Sequence, residues 1–431
     1  MHSHRLAQAA LQPVEEAVSV RDGTTGAEKM KSAHSVAVVL HFLSHYREAV
    51  YRRLTDIEQS QHKYVIYSDT RSNIPSLKVI DFESRAAHTP IPGRITWRRI
   101  ANVWFGQHVC WQRGVLRLAW RTEHDTLILM GSMYFLSTWA ACLLARLRGK
   151  RVLMWGHGFR YNERGAKGLL RGIFYRLAHG HLLYGHHARE IMLAKGFPPS
   201  ALYVIYNTLD IEHLSAVLDD HLKTQARPPN GSSAEPLKIV MIGRLTVEKQ
   251  VVSLIDALAM LRDSGVDAAL TVIGDGPDRA AIFARAEALG VSKQIRWLGA
   301  LYDEVLICPH IAAADLCVVP GKLGLTAVHA MAYGTPVITH DDFKSHSPEF
   351  EVIVPGQTGM FFRKGDATDL ANAIRSWHAQ THDRATLRRR CRHIVCTYYT
   401  PQMQQSIIDK AVAGMPATLI PESSARPQLN C

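Results

Sequence analysis

A chain of 431 residues with 47% hydrophobic and 20% charged residues has the composition of a globular protein of two or three domains, and is neither disordered nor fibrous. Seven cysteines at 110, 142, 308, 317, 391, 396 and 431, with no CxxC pair, exclude a disulfide framework and a structural zinc and fit a cytosolic location. The formal charge of +12 lies wholly in residues 1–230, which carry 30 Lys/Arg against 18 Asp/Glu, while residues 231–431 carry 20 of each. A one-sided basic half points to an acidic partner, such as an anionic lipid surface or a phosphorylated acceptor. Without a zinc finger or an RNP-like strand pair, nucleic acid is not expected.

Residues 1–33 lack hydrophobic periodicity and read as a mobile extension, with no apolar run of the signal-peptide kind. The run from Val36 to Leu40 is β-branched and suits a central parallel strand. It leads into HFLSHYREAVYRRL, where Tyr46, Val50 and Leu54 share a helical face. Tyr64 to Tyr67 predicts a second strand, and residues 70–100 are irregular. Thr126 to Met130 predicts a strand followed by a helix to Leu147. Gly131, Ser132 and Arg146 interrupt that apolar stretch, so a buried strand–helix pair is expected over a membrane span. Arg151 to Trp155 is a further strand and delivers GHGFRYNERG at its carboxyl end, where open sheets bind ligands. The helix KGLLRGIFYRLAHG carries Leu169, Leu170, Ile173, Phe174 and Leu177 on one face, with Lys167, Arg171 and Arg176 around it. That face suits either an anionic membrane surface or the chain's own sheet.

Residues 222–236, LKTQARPPNGSSAEP, are polar with three prolines and a glycine, a linker composition. It divides a first domain over 34–221 from a second over 237–384, with helices over 385–412 and a tail over 413–431. The second domain opens with the strand Leu237 to Ile242 and then GRLTVEKQ. Arg244 and Lys249 follow that strand five residues apart; an arginine fork and a lysine point charge suit a diphosphate. LTVIGDGP over 270–277 is a strand and tight turn, and IRWLGALYDE over 295–304 another strand. In LCVVPGKLGLTAVHAMAYGTPVIT, residues 316–339, a strand, a glycine turn, a helix and a second strand succeed one another.

This last stretch resembles the nucleotide-sugar site of the family-four retaining glycosyltransferases, which reads Glu-any-Phe-Gly-Leu, three free positions, Glu-Ala-Met, then Gly-Thr-Pro-Val. Gly324, Leu325, Ala330, Met331, Gly334, Thr335, Pro336 and Val337 fall on the family's letters, while Gly321 and His329 stand where the family has glutamates. The Gly-Arg-Leu…Glu-Lys element at 243–249 matches with full spacing. The resemblance is specific over 237–362 and architectural before that.

It implies a GT-B fold, an α/β architecture of two Rossmann-like parallel-sheet domains facing a central cleft, with the terminal helices crossing back to the first domain. It implies sugar transfer from a nucleotide-diphosphate donor to a glycan or lipid-linked acceptor with retention, without a metal or other cofactor. Gly243, Arg244, Lys249, Gly274, Leu298, Gly324, Leu325, Thr326 and His329 are the donor-side residues so implied. His329 would stand in as the ribose contact, and His157, Arg244 and Lys249 would serve catalysis. His45, Tyr46, Arg47 and Arg160 are read as the acceptor side, since the first turn lacks the family's glycines. The run HSPEFEVIVPGQTG is expected to be a structural cover. The alternatives are a sugar-nucleotide epimerase of the same architecture and a non-catalytic partner protein. A nicotinamide dehydrogenase is not expected, because neither domain shows GxGxxG after its first strand.

Overall fold

The computed structural model describes residues 33–72, 79–80, 95–224, 235–380, 383–424 and 426, so nearly all of the extension and most of the linker expected from the sequence lie outside the described residues. The first sheet is built from β1 (Ser35–Phe42), β2 (Lys63–Asp69), β3 (Trp97–Arg99), β6 (Thr126–Met130), β7 (Arg151–Gly156), β8 (Gly180–Leu183) and β9 (Leu202–Val204); β4 (Asn102–Phe105) and β5 (Val109–Gln112) form a separate antiparallel pair. Its order is β3-β2-β1-β6-β7-β8-β9, with parallel pairing throughout. Helices α1 (Glu48–Thr55), α2 (Val115–Trp120), α3 (Leu136–Leu147), α4 (Gly165–Arg176) and α5 (His186–Ala194) connect these strands. Val36 to Val39 and Val152 to Trp155 are buried along their whole length, as expected of parallel strands covered on both faces.

Helix α6 (Ile211–Thr224) leads toward the second sheet, made of β10 (Leu237–Ile242), β11 (Ala268–Ile273), β12 (Ile295–Gly299), β13 (Leu316–Val319), β14 (Val337–His340) and β15 (Gly359–Phe362). The order is β12-β11-β10-β13-β14-β15, again parallel. Helices α7 (Val251–Asp263), α8 (Arg279–Ala288), α9 (Glu304–Ala313), α10 (Thr326–Ala332), α11 (Ala367–His378), α12 (Arg384–Tyr398) and α13 (Pro401–Val412) complete the chain apart from a short terminal turn. In each sheet the chain winds outward on one side and then jumps across its first strand, between β1 and β6 and between β10 and β13. Connections leave such a switch point in opposite directions, which opens a crevice at the carboxyl ends of the strands.

Several expectations are corrected. The first strand runs on to Phe42, because the side-chain amides of Gln112 and Asn102 donate to the carbonyls of Leu40 (3.0 Å) and His41 (2.6 Å). The helix expected next begins only at Glu48, after a 3-10 turn over His45–Arg47, and buries Val50, Tyr51 and Leu54 while Tyr46 stays half-buried. The boundary expected at 221 falls inside α6, which packs against α9 and α10 of the second half. The stretch expected as a tail is structured to Ser424: the Tyr203 hydroxyl donates to the Met415 carbonyl (2.8 Å), and the Val204 amide to Ser423 Oγ (2.7 Å). Helix α4 packs through Gly168, Gly172, Phe174 and Tyr175, leaving Leu169, Leu170 and Ile173 exposed.

The two sheets are tied together at their flanks. Helix α12 packs on α10, whereas α13 lies on α1, where Tyr64 donates its hydroxyl to Asp409 Oδ1 at 2.6 Å. Between them, Tyr206 takes a left-handed φ of 57°, a conformation that costs a non-glycine residue about 1 kcal/mol or more. It is held there by its hydroxyl on the Glu422 carbonyl (2.8 Å) and against His186 Nε2 (3.1 Å). Among the described residues no helix is long and apolar enough to cross a membrane.

Candidate active site

Two cavities adjoin at the carboxyl ends of the sheets. One, of about 380 Å³, is cut into the first sheet by the loops after β1, β6 and β7 and includes Tyr46, Arg47, Gly131, His157 and Arg160. The other, of about 440 Å³, lies between the sheets: Tyr46, Arg47 and His157 face Gly324, Leu325, Thr326, His329, Ser347 and Glu349, with Asn207 and Leu209 alongside. Tyr46, Arg47 and His157 therefore form the wall common to both.

That wall is a cation seated among rings. The Arg47 guanidinium lies 4.7 Å from the centre of the Tyr184 ring and 5.3 Å from that of Tyr46, within cation–π range. One of its nitrogens donates to Asn207 Oδ1 at 2.9 Å. His157 meets Tyr184 edge to face at 4.9 Å. His157 keeps exposed surface in the cleft, yet the protein packed beneath it, and then the charges of Arg160, Arg47 and Lys322, push its imidazole down to about 3. It is thus neutral at physiological pH, a hydrogen-bonding group without charge. His45, expected on the acceptor side, is exposed and belongs to neither cavity wall.

On the other side, Gly243 and Gly274 make the turns after β10 and β11. A Cβ at Gly274 would sit 1.9 Å from the Gly243 carbonyl oxygen, so these glycines let the two loops close on each other. Arg244 is exposed beside them, and Lys249 reaches the loop after β13, donating to the Lys322 carbonyl at 2.7 Å. Burial, then the charge of Lys322, lowers the Lys249 pKa. Neither cation lines the 440 Å³ cavity. Leu298 is half-buried against the core of the second sheet and does not line it either.

Gly321 stands where the resembled family has its first glutamate, and the backbone explains why no side chain is present. A Cβ there would lie 2.1 Å from the Glu248 carbonyl oxygen and 2.5 Å from the Lys249 carbonyl carbon. His329, at the second glutamate position, is paired: its Nε2 lies 2.8 Å from Glu304 Oε2, which also accepts the Tyr333 hydroxyl at 2.8 Å. Burial alone would raise the Glu304 carboxyl, but the hydrogen bond and charge of His329 and the Tyr333 hydroxyl outweigh it and hold the pKa low. With Nε2–H donating to the carboxylate, a neutral ring has Nδ1 as its acceptor.

Five residues of the site escape a reading of the sequence: Glu304, Asn207, Leu209, Ser347 and Glu349. Asn207 sits in VIYNTLD, which reads as no more than a strand leaving the first domain. Glu349 belongs to the run expected to be a structural cover; the 3-10 turn Pro348–Val352 instead carries it into the cavity wall, where Asn207 Nδ2 donates to its Oε1 at 2.5 Å. Only the chain's return between the sheets brings these groups together.

Residues 223–393 match the family model described as glycosyl transferases group 1. Over 191 residues the chain is 32% identical to the GDP-mannose-dependent alpha-(1-6)-phosphatidylinositol dimannoside mannosyltransferase of Mycobacterium tuberculosis, a stretch covering 43% of this chain and 45% of that one. Over 154 residues it is 33% identical to a glycogen synthase of the same species, covering 35% of each. The match thus spans less than half the length of these relatives. Among solved structures, the lipopolysaccharide outer core galactosyltransferase WaaB superposes with a TM-score of 0.64 at 17% identity, covering 88% of this chain and 99% of that one. Anabaena Alr3699/HepE in complex with UDP gives 0.62 at 16%, covering 89% and 100%. The chain therefore has the GT-B fold, and residues 223–393 are similar to the glycosyl transferases group 1 model.

Proposed function

We propose that the chain is a glycosyltransferase that moves a sugar from a nucleotide-diphosphate donor to a glycan or lipid-linked acceptor, with retention and without a metal ion, in the assembly of a cell-surface polysaccharide or glycolipid. The observation that carries this reading is the cavity between the two switch points, with His157 and Arg47 opposite Gly324–Thr326 and His329. A crevice at the carboxyl ends of two facing sheets can hold a two-part donor and exclude water from the bond that breaks. The relatives' names, a GDP-mannose-dependent mannosyltransferase among them, agree with such a donor.

In this reading Arg244 and Lys249 meet the charge that builds on the departing diphosphate, as preorganised cations do. Gly243, Gly274 and the Gly324–Thr326 turn give the donor close access to backbone, and His329, oriented by Glu304, contacts the ribose. Neutral His157 hydrogen-bonds the sugar at the shared wall. The acceptor enters through the 380 Å³ cavity past Tyr46, Arg47 and Arg160.

The acceptor is presented at the cytoplasmic face of an anionic membrane. Support comes from α3 and α4, which expose Leu136, Leu143, Leu147, Leu169, Leu170 and Ile173 among the basic side chains Arg146, Arg148 and Lys167, a mixture suited to a lipid interface.

The test is a donor screen: purified protein, a panel of nucleotide sugars, glycan and lipid-linked acceptors, and detection of released nucleotide. Release that depends on an acceptor is the expected result. Isomerised donor without release would make the chain an epimerase, and binding without either change a non-catalytic partner.

A further inference from the structure

The two family glutamates are absent from the second domain, yet a carboxylate faces the same cavity from another element. Glu349 and Glu351 lie two residues apart in one 3-10 turn, Glu349 buried and Glu351 half-buried. Their surroundings differ. Both oxygens of Glu351 are occupied by backbone donors, the amides of His186 and His187 at 2.7 and 2.6 Å. Glu349, only 2% exposed, accepts from Asn207 Nδ2 through Oε1, while Oε2 has no hydrogen-bond partner among the described residues.

A buried carboxylate oxygen left without a donor is costly, and native structures seldom keep one without a use. Burial raises the Glu349 pKa; Asn207, the residue's own amide, Arg47 and Arg160 pull the other way. These cations, and Lys249 on the far side, keep a carboxylate tolerable there without bonding to Oε2. At position 321 a carboxylate would collide with the backbone of Glu248 and Lys249. Glu349 lines the cavity between the sheets, and its unpaired oxygen lies just beneath the surface of that wall.

Resting on the donor reading above, we propose that Glu349 is a specificity-determining residue of this chain: Oε2 accepts a hydrogen bond from a hydroxyl of the transferred sugar, and Asn207, itself held by Arg47, positions the carboxylate. The contact is with the sugar, so the nucleoside diphosphate alone gains nothing from it.

The experiment measures binding by calorimetry for wild type, Glu349→Gln and Glu349→Ala, first confirmed folded by near-UV circular dichroism. The probes are UDP, GDP, UDP-glucose, UDP-galactose, GDP-mannose, and singly deoxygenated forms of whichever sugar nucleotide binds. Both variants should hold the nucleoside diphosphate within twofold of wild type and lose about tenfold for the sugar nucleotide, the loss expected for one charged hydrogen bond. One deoxy analogue should lose about tenfold on wild type and nothing further on Glu349→Ala, a coupling that a merely structural glutamate would not produce. Equal losses on both proteins for every analogue, or diphosphate binding weakened as much as sugar-nucleotide binding, would overturn the assignment of Glu349 alone. A wild type that binds no nucleotide sugar would overturn the donor reading and this assignment with it.

Discussion

The carboxylate of Glu351 accepts the backbone N–H of His187 at 2.6 Å, and with its second oxygen that of His186, so that a side chain from the second half of the molecule caps helix α5 of the first. Helix α5 has no cap from its own sequence, since Gly185 stands at its N-cap. An acid at a helix N-terminus satisfies orphan amides and meets the positive end of the helix dipole. Removing it leaves two amides without an acceptor at a half-buried junction. Glu351→Ala should cost about 1–3 kcal/mol of stability, read as a lowered midpoint in urea unfolding with the slope unchanged. An unchanged midpoint would show that the cap does not hold the junction.

His329 and Glu304 should act as one unit in donor binding. His329→Ala is expected to raise the donor KM more than it lowers kcat, as for a contact equal in ground and transition states. Glu304→Ala should reproduce most of that change, since it frees the ring to turn, and the double variant should be little worse than either alone. Fully additive effects in the cycle would separate the two residues.

Arg244 and Lys249 are expected to matter most when charge builds on the leaving group. Arg244→Ala should remove about 2–4 kcal/mol of transition-state stabilisation, the range for loss of one preorganised charge-stabilising donor. Steady-state kinetics checks this through kcat/KM, and product inhibition by the nucleoside diphosphate checks it independently. If the double alanine variant keeps both values, these cations do not face the diphosphate.

The outer face of α3 and α4 should carry the membrane contact. Leu169→Glu combined with Ile173→Glu replaces two exposed apolar side chains with charges that an anionic surface repels. Cosedimentation with vesicles containing phosphatidylglycerol should fall sharply in this variant. It should also weaken for wild type as salt rises past physiological strength, where the screening length is about 8 Å and shrinking. Vesicle binding equal to wild type would remove α4 from the contact.

Acid should destabilise the fold before most carboxylates titrate. Burial pushes His181 down to about 3 and, with nearby positive charge, His186 and His340 to about 4. All three are neutral when folded and titrate near the ordinary value of about 6.5 when unfolded. Their contribution is fully present above that pH and is lost as pH falls toward 4, by up to about 1.4 kcal/mol per group for each pH unit in the window. The rings should lower the thermal midpoint as pH falls from 6.5 to 5. Glu351, which burial pushes up to about 7, adds stability over that range and opposes them, so the fall is read in the Glu351→Gln background, where it should steepen. A midpoint that stays level to pH 5 in that background would mean that these rings find water or a partner on protonation.

The strands of both sheets were legible because a buried parallel strand must be apolar along its length: Val36 to Leu40, Arg151 to Trp155 and Leu316 to Val319 announce themselves without any partner. The glycine turns and the Gly-Arg-Leu…Glu-Lys spacing are equally local, since close backbone approach demands particular residues at particular positions. Position 329 was legible as part of the site for the same reason. Its partner Glu304 was not, because a pairing across 25 residues between two helices leaves no periodic trace. The exposed face of α4 was misread as equally suited to its own sheet, because amphipathic spacing says which residues share a face and not which face meets the sheet; the buried face is that of Gly168, Gly172, Phe174 and Tyr175. Asn207 and Glu349 lie 142 residues apart and read separately as a strand exit and a cover. Local preference determined the sheets and their turns, whereas the site depends on how the second sheet is set against the first, a matter of packing between distant surfaces that only the tertiary structure decides.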